Sequence, residues 1–145
     1  MSPIIEQALT LWTDPLPEGD AGFAAFRAVY ADPLEVNGAT TPLRTLVERA
    51  RMLQAAFGRL QHQILQEVDG GEHVAFAFRL TGHHLGPLET PLGTVAPTGR
   101  RLEVQGMDIF ELSLGRIHAV WAVSDQLALL VQAGAVSLNG TVLPP

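Results

Sequence analysis

Hydrophobic positions along the chain change period twice. Up to about residue 57 they recur at helical spacing, from about residue 60 they alternate in twos, and near residue 126 the helical spacing returns. "SPIIEQALTLW" opens with Ser2 as a cap and Pro3 at the first helical position, a start signal for a helix. "GDAGFAAFRAVYADP" predicts a second helix, capped by Asp20, with Phe23, Phe26 and Tyr30 on one face and Pro33 as its stop. After the short extended piece "LEVNG" comes the strongest helical pattern. Thr41 caps it, Pro42 opens it, and Leu43, Leu46, Val47, Ala50, Leu53 and Phe57 form the stripe that must lie on something apolar.

That surface is a sheet. "RLQHQILQEV" and "HVAFAFRLTGHH" flank the turn "DGGE" and read as a hairpin closed at Asp69-Gly70-Gly71. In its second strand Val74, Phe76, Phe78, Leu80, Gly82 and His84 share one face. Leu85 to Arg101 is rich in Gly, Pro and Thr and reads as a long loop, of the kind that serves as a lid or a dimer contact. Two further strands follow, then the helix "QLALLVQA", ended by Gly134. Gly82 and Gly106 are candidate points of bending. Helices first and an antiparallel meander afterwards define an α+β class, with N-terminal helices packed on one face of a curved sheet. The chain is expected to form a single domain over 1–145, with its core in about 20–134 and a tail or partner contact in 135–145.

Two acids interrupt this pattern. If "SLGRI" closes a hairpin with Gly115 and Arg116 at its tip, Leu114 faces Ile117, Phe110 faces Trp121 and Asp108 faces Val123. Asp108 and Asp125 then lie diagonally on the inward face, roughly 7–8 Å apart, together with Phe110 and Trp121. Desolvation at the mouth of an apolar cavity moves a carboxyl pKa toward neutrality, where it serves as a general acid or base. Structural roles compete with this reading. Asp125 stands where a helix N-cap belongs, and a buried Asp108 can be held by an Arg or by backbone donors.

Composition then removes alternatives. The chain has 145 residues, 47% of them hydrophobic and 17% charged, with a net charge of -6; the mean hydropathy of +0.20 suggests that some apolar surface is buried against a partner. Scattered arginines on an acidic chain suit neither nucleic acid nor anionic membrane. The N-terminus lacks a basic start and a long apolar run, and no stretch approaches the length that spans a bilayer, so the expected location is cytoplasmic. There is no Cys and no Lys, which excludes thiolate and Schiff-base chemistry and leaves acid–base work by Asp, Glu and His. His83 and His84 point to opposite faces of one strand and so do not chelate one metal. His84 is expected at the cavity as a hydrogen-bonding or proton-shuttling group. Asn37 either orients a carbonyl or forms a turn. Phe76, Phe78, Phe110 and Trp121 form a stripe that is either core or the wall for a flat apolar ligand.

"DGGEHVAFAFRLTGHHLG", "APTGRRLEVQGMDIFEL" and "GRIHAVWAVSDQLALLVQAG" resemble the motifs of SnoaL-like polyketide cyclases, also called ester cyclases. The similarity covers about Phe23 to Gly134, with Pro97 to Arg100, Trp121, Asp125 and Gln132 to Gly134 as its most specific parts. Ala77 and Glu111 stand where many members carry Arg, and Ala133 where the usual motif has Leu. The resemblance implies a cone-shaped α+β barrel, shared with nuclear transport factor 2 and ketosteroid isomerase, and a homodimer formed through the outer face of the sheet. It also implies a metal-free and cofactor-free aldol ring closure on an apolar, carbonyl-rich small molecule. Asp125 would be the acid/base, Asn37 and His84 would stabilise the enolate oxygen, Asp108 would be a second acid, and Phe78, Phe110 and Trp121 would shape the substrate. Two other expectations stand beside it: epoxide hydrolysis of the limonene-epoxide-hydrolase type by the paired acids Asp108 and Asp125, and a dimeric module that binds an apolar ligand without chemistry.

Overall fold

In the computed structural model, which describes residues 2–138 and the backbone of 141–142, the elements follow in the order helix, helix, hairpin, helix and then sheet. α1 is Pro3–Thr13 and α2 is Asp20–Arg27. β1 (Tyr30–Val36) and β2 (Ala39–Thr41) form a hairpin, and α3 spans Leu43–Ala56. The long strands are β3 (Phe57–Asp69), β4 (His73–His84), β7 (Arg101–Ser113) and β8 (Arg116–Ser124). Between β4 and β7, within the stretch that reads as a long loop, lies a small separate hairpin of β5 (Leu88–Thr90) and β6 (Gly93–Val95). α4 is Gln126–Gln132. Of the expected tail, Ser137–Leu138 (β9) pairs with Thr141–Val142 (β10); 139–140 and 143–145 lie outside the described residues.

Six strands make one sheet in the order β2-β1-β8-β7-β4-β3. β1 and β8 run parallel and all other neighbours are antiparallel, so the sheet is mixed and the fold is α+β. Its inner face carries Val74, Phe76, Phe78 and Phe110 into one core with Ile5 and Leu9 of α1, Phe26 of α2 and Leu43, Leu46 and Val47 of α3. A smaller core joins Ala56, Phe57 and Leu102 to Leu129 and Ala133 of α4. Gly106 lies opposite Phe78, and a Cβ there would come within 2.5 Å of the Phe78 ring. Its bareness leaves room for the ring.

Several expected boundaries shift. Tyr30 begins β1 instead of ending the second helix, and Phe57 begins β3 instead of ending the third. Asp20 is the first residue of α2, with Gly19 in the cap position, and Pro42 replaces Thr41 as N-cap of α3. Neither Ser2 nor Pro42 gives a side-chain cap bond. Asp32, from β1, instead accepts the Leu43 N–H at 3.1 Å and so satisfies one of the free donors at the start of α3.

The larger difference is the register between β7 and β8. The turn residues are Leu114 and Gly115, with φ of 52° and 77°, and Ser113 pairs with Arg116. A bulge then adds a residue on β8, between Leu112↔Ile117 and Glu111↔Ala119. Phe110 therefore faces Val120, Ile109 faces Trp121 and Asp108 faces Ala122. The outcome is one residue off the expected pairing, which moves Trp121 to the opposite face of the sheet.

Candidate functional site

α1 and α3 leave a cavity of about 480 Å³ above the inner face of the sheet. Trp12, Tyr30, Leu46, Leu53, Phe78 and Phe110 are on its walls, with Arg49, Glu89 and Gln126 as further charged or polar lining. Its size is that of a small-molecule pocket, and its lining is predominantly apolar.

Asp108 stands on this wall, midway along β7 and between Phe76 of β4 and Ala122 of β8. Strand alternation points it inward with Phe110, as the sequence pattern indicates. Among the described residues its carboxyl takes part in no hydrogen bond or ion pair. Burial alone pushes its pKa from 3.8 up to about 7, because an apolar cavity solvates the charged form poorly. The expected holding partner for a structural Asp108 is thus missing, and Arg79, on the outer face, pairs instead with Gln63 at 3.2 Å and Glu103 at 3.7 Å.

Asp125 does not join Asp108. It is exposed, is not on the cavity wall, and caps α4 by accepting the Ala128 N–H at 3.0 Å. The cause is the end of β8 at Ser124: the next residue already belongs to the helix start, where an Asp oxygen replaces a missing helical acceptor. The expected diagonal pair of inward acids is therefore absent.

His84 shares the inner face of β4 but is sealed away from the cavity. It has 0% exposure, packs on Phe57 with ring centroids 5.6 Å apart, and its Nδ1 accepts the Thr98 N–H at 3.2 Å with the Thr98 hydroxyl at 3.0 Å. Its backbone exchanges hydrogen bonds with Arg100 and Gly99. It fastens the 97–100 segment to the sheet, and the expected position at the cavity is corrected. Asn37 is also committed elsewhere. Its amide accepts from the Ala122 N–H at 2.8 Å and donates to the Ala122 carbonyl at 3.3 Å, and with Gly38 it makes the β1–β2 turn at φ of 50° and 84°. Of the alternatives open for Asn37, the turn is the one observed. Phe78 and Phe110 line the cavity as expected. Trp121 lies outside, half exposed, with its Nε1 donating to Glu111 Oε2 at 3.3 Å.

Two cavity residues escaped sequence reasoning. Trp12, from α1, donates through Nε1 to the Tyr30 hydroxyl oxygen at 3.1 Å, and both line the cavity. Tyr30 belongs to the apolar stripe of Phe23 and Phe26, which marks it as core, and no local signal brings residues 18 positions apart into one polar contact.

Fold and cavity together define a class: cone-shaped α+β proteins with an apolar chamber between helices and a mixed sheet. A family model for SnoaL-like polyketide cyclases matches residues 10–133, and the chain belongs to this family. Among solved structures it is similar to TsrD from Streptomyces laurentii, 19% identical over 92% of this chain and 94% of that one, with a TM-score of 0.76. IdmH from Streptomyces antibioticus, a candidate polyketide cyclase, is 20% identical over 91% and 96% of the two chains, with a TM-score of 0.72. AclR from Streptomyces galilaeus, a candidate hydroxylase, is 18% identical over 94% and 99%, with a TM-score of 0.71. No curated protein is significantly similar in sequence.

Proposed function

We propose that the protein is a cofactor-free acid–base enzyme acting on an apolar, carbonyl-bearing small molecule, and that Asp108 is its general base and acid. The observation that carries this reading is a carboxyl with no partner among the described residues, poised at about 7, on the wall of an apolar cavity of about 480 Å³. Asp108 takes the proton from a carbon beside a carbonyl. The resulting enolate attacks a second carbonyl of the same molecule, forming the ring bond, and protonated Asp108 returns its proton to the new alkoxide. No net proton is consumed. Phe78 and Phe110 provide the flat surface against which the substrate folds. Asp125, His84 and Asn37 are assigned to capping, to holding the 97–100 segment and to turn formation. Hydrolysis of an epoxide by paired aspartates loses support, because Asp125 stands outside the chamber.

The test is hydrogen–deuterium exchange at C1 of 2-tetralone in D2O, followed by NMR. The wild-type protein should accelerate exchange, Asp125→Asn should retain the rate, and Asp108→Asn should abolish it. An unchanged rate in Asp108→Asn removes the carboxyl from the chemistry. Binding of 2-tetralone without any acceleration of exchange in the wild-type protein favours the non-catalytic binding module.

The second element of the proposal is a homodimer through the outer face of the sheet. Met107, Ile109, Trp121, Val123 and Val68 are exposed there, around the small side chains of Ala75 and Ala77, and among the described residues no helix covers them. A contiguous apolar face of this kind is characteristic of protein contacts, and a second copy presents the same surface to it.

A further inference from the structure

We propose that Tyr30, oriented by Trp12, is the group that holds the substrate's carbonyl oxygen so that the neighbouring C–H bond faces Asp108. This rests on the acid–base reading of Asp108 and deepens it: the substrate is an enolisable ketone or β-dicarbonyl with its oxygen next to the carbon that loses a proton. Tyr30 is 2% exposed and its ring stacks on Phe26 with centroids 5.6 Å apart and an angle of 16°. Phe26 in turn meets Trp12 edge-on at 5.8 Å, so the phenol has little freedom to turn. An indole N–H only donates. The Trp12 bond at 3.1 Å therefore occupies a lone pair of the Tyr30 oxygen and leaves the hydroxyl hydrogen unused.

Among the described residues nothing accepts that hydrogen. A buried hydroxyl without an acceptor is costly, and Phe would fill the same space without the cost. Trp12, Tyr30 and Asp108 all line one chamber. Burial holds the phenol pKa well above its ordinary value, with the charge of Asp108 acting in the same direction. The hydroxyl thus keeps its proton, and the carboxylate is near enough to be felt. No hydrogen bond joins the two groups. A carbonyl oxygen bound in that chamber would accept from Tyr30 while its α-carbon meets Asp108. When the C–H bond breaks, its proton passes to Asp108 and its electron pair moves onto that oxygen. Tyr30 donates a hydrogen bond throughout and keeps its proton.

The test compares 2-naphthol, a planar stand-in for the enolate, with naphthalene, which has the same ring system and no oxygen. Calorimetric titration should show that Tyr30→Phe weakens 2-naphthol about tenfold, the loss expected for one hydrogen bond, and leaves naphthalene binding unchanged. Exchange of 2-tetralone should fall by roughly a hundredfold in the same variant, as for other lost oxyanion donors, with the pH inflection of Asp108 retained. Trp12→Phe keeps the phenol but not its direction, and should lower the preference for 2-naphthol over naphthalene by a smaller factor; it serves as the second variant should Tyr30→Phe be unstable. Equal weakening of both ligands, or of neither, overturns the proposal. If Asp108→Asn abolishes exchange while Tyr30→Phe changes neither rate nor preference, only the phenol's role falls. If Asp108→Asn exchanges normally and Tyr30→Phe still loses the preference, the donor stands and the acid–base reading falls.

Discussion

A carboxyl group in an apolar chamber weakens the fold that holds it. For Asp108 the folded-state pKa of about 7 lies above the ordinary 3.8, so between these two values the folded chain binds more protons than the unfolded one. Stability then falls as pH rises from about 4 to about 7 and stays reduced above. Asp108→Asn should therefore raise the melting temperature at pH 8 and do so far less at pH 4. A gain of roughly 1–3 kcal/mol is expected at pH 8, because solvent in the open chamber reduces the limit of about 1.4 kcal/mol per pKa unit. Thermal unfolding across that range measures it, and a variant destabilised at pH 8 would mean that the carboxylate has a partner. Activity should follow the opposite limb, with 2-tetralone exchange rising through about pH 7 as the base ionises. Asp125 behaves as a cap should: replacing it by Ala is expected to cost about 1 kcal/mol and by Asn much less, with exchange retained in both.

At the scale of elements, α4 is held by a side chain that imitates a strand. β8 ends at Ser124, and Asp125 gives its N–H to the Gln105 carbonyl at 2.9 Å. Beyond that point β7 would have an unpaired edge. Gln132 covers it, accepting the Glu103 N–H and donating to the Glu103 carbonyl, each at 2.8 Å, while Arg100 donates to the Gln132 carbonyl at 2.9 Å. Gln132→Leu should cost about 1–3 kcal/mol, the penalty for part-buried groups left unpaired, and should speed amide exchange at Glu103. α1 is fastened in a similar way. Gln54 of α3 donates to the Trp12 and Asp14 carbonyls at 3.0 and 2.8 Å and accepts the Leu16 N–H at 3.0 Å, and His62 of β3 bridges Thr13 and Glu6 at 2.9 and 2.7 Å.

These elements also explain what could be read from the residues in advance. The inward faces of β4 and β7, and Asp108 among them, follow from a period of two that one-sided burial imposes. The register puts Trp121 one step from its expected face, and of the two readings open for Asp125 the N-cap is the one observed. Leu114 adopts a positive φ that a branched-chain L-residue normally avoids, so local preference favours a tip at Gly115 and Arg116. The bulge beside Glu111 leaves no mark in composition. The Asn37-Gly38 pair did carry a hairpin signal, whereas the meeting of Trp12 with Tyr30 depends on how α1 lies across β1.

At the scale of the whole molecule, one strand serves both surfaces. Met107 and Ile109 turn outward on either side of the inward Asp108, so the proposed second copy would pack against the strand that carries the carboxyl. Charges placed on both sides of a two-fold contact repel each other twice over. Met107→Glu combined with Trp121→Glu should convert a particle of twice the chain mass into a monomer of 15.6 kDa, read by light scattering at fixed salt. Neither residue lines the inner chamber, so loss of the second copy should leave the helices folded, as far-ultraviolet circular dichroism would report. Its effect on the site should be small: the inflection of Asp108 at about 7 arises from burial within the single chain, and the exchange profile of the monomer should keep it. A wild-type protein already monomeric at micromolar concentration would separate the two faces, leaving the chamber to act alone.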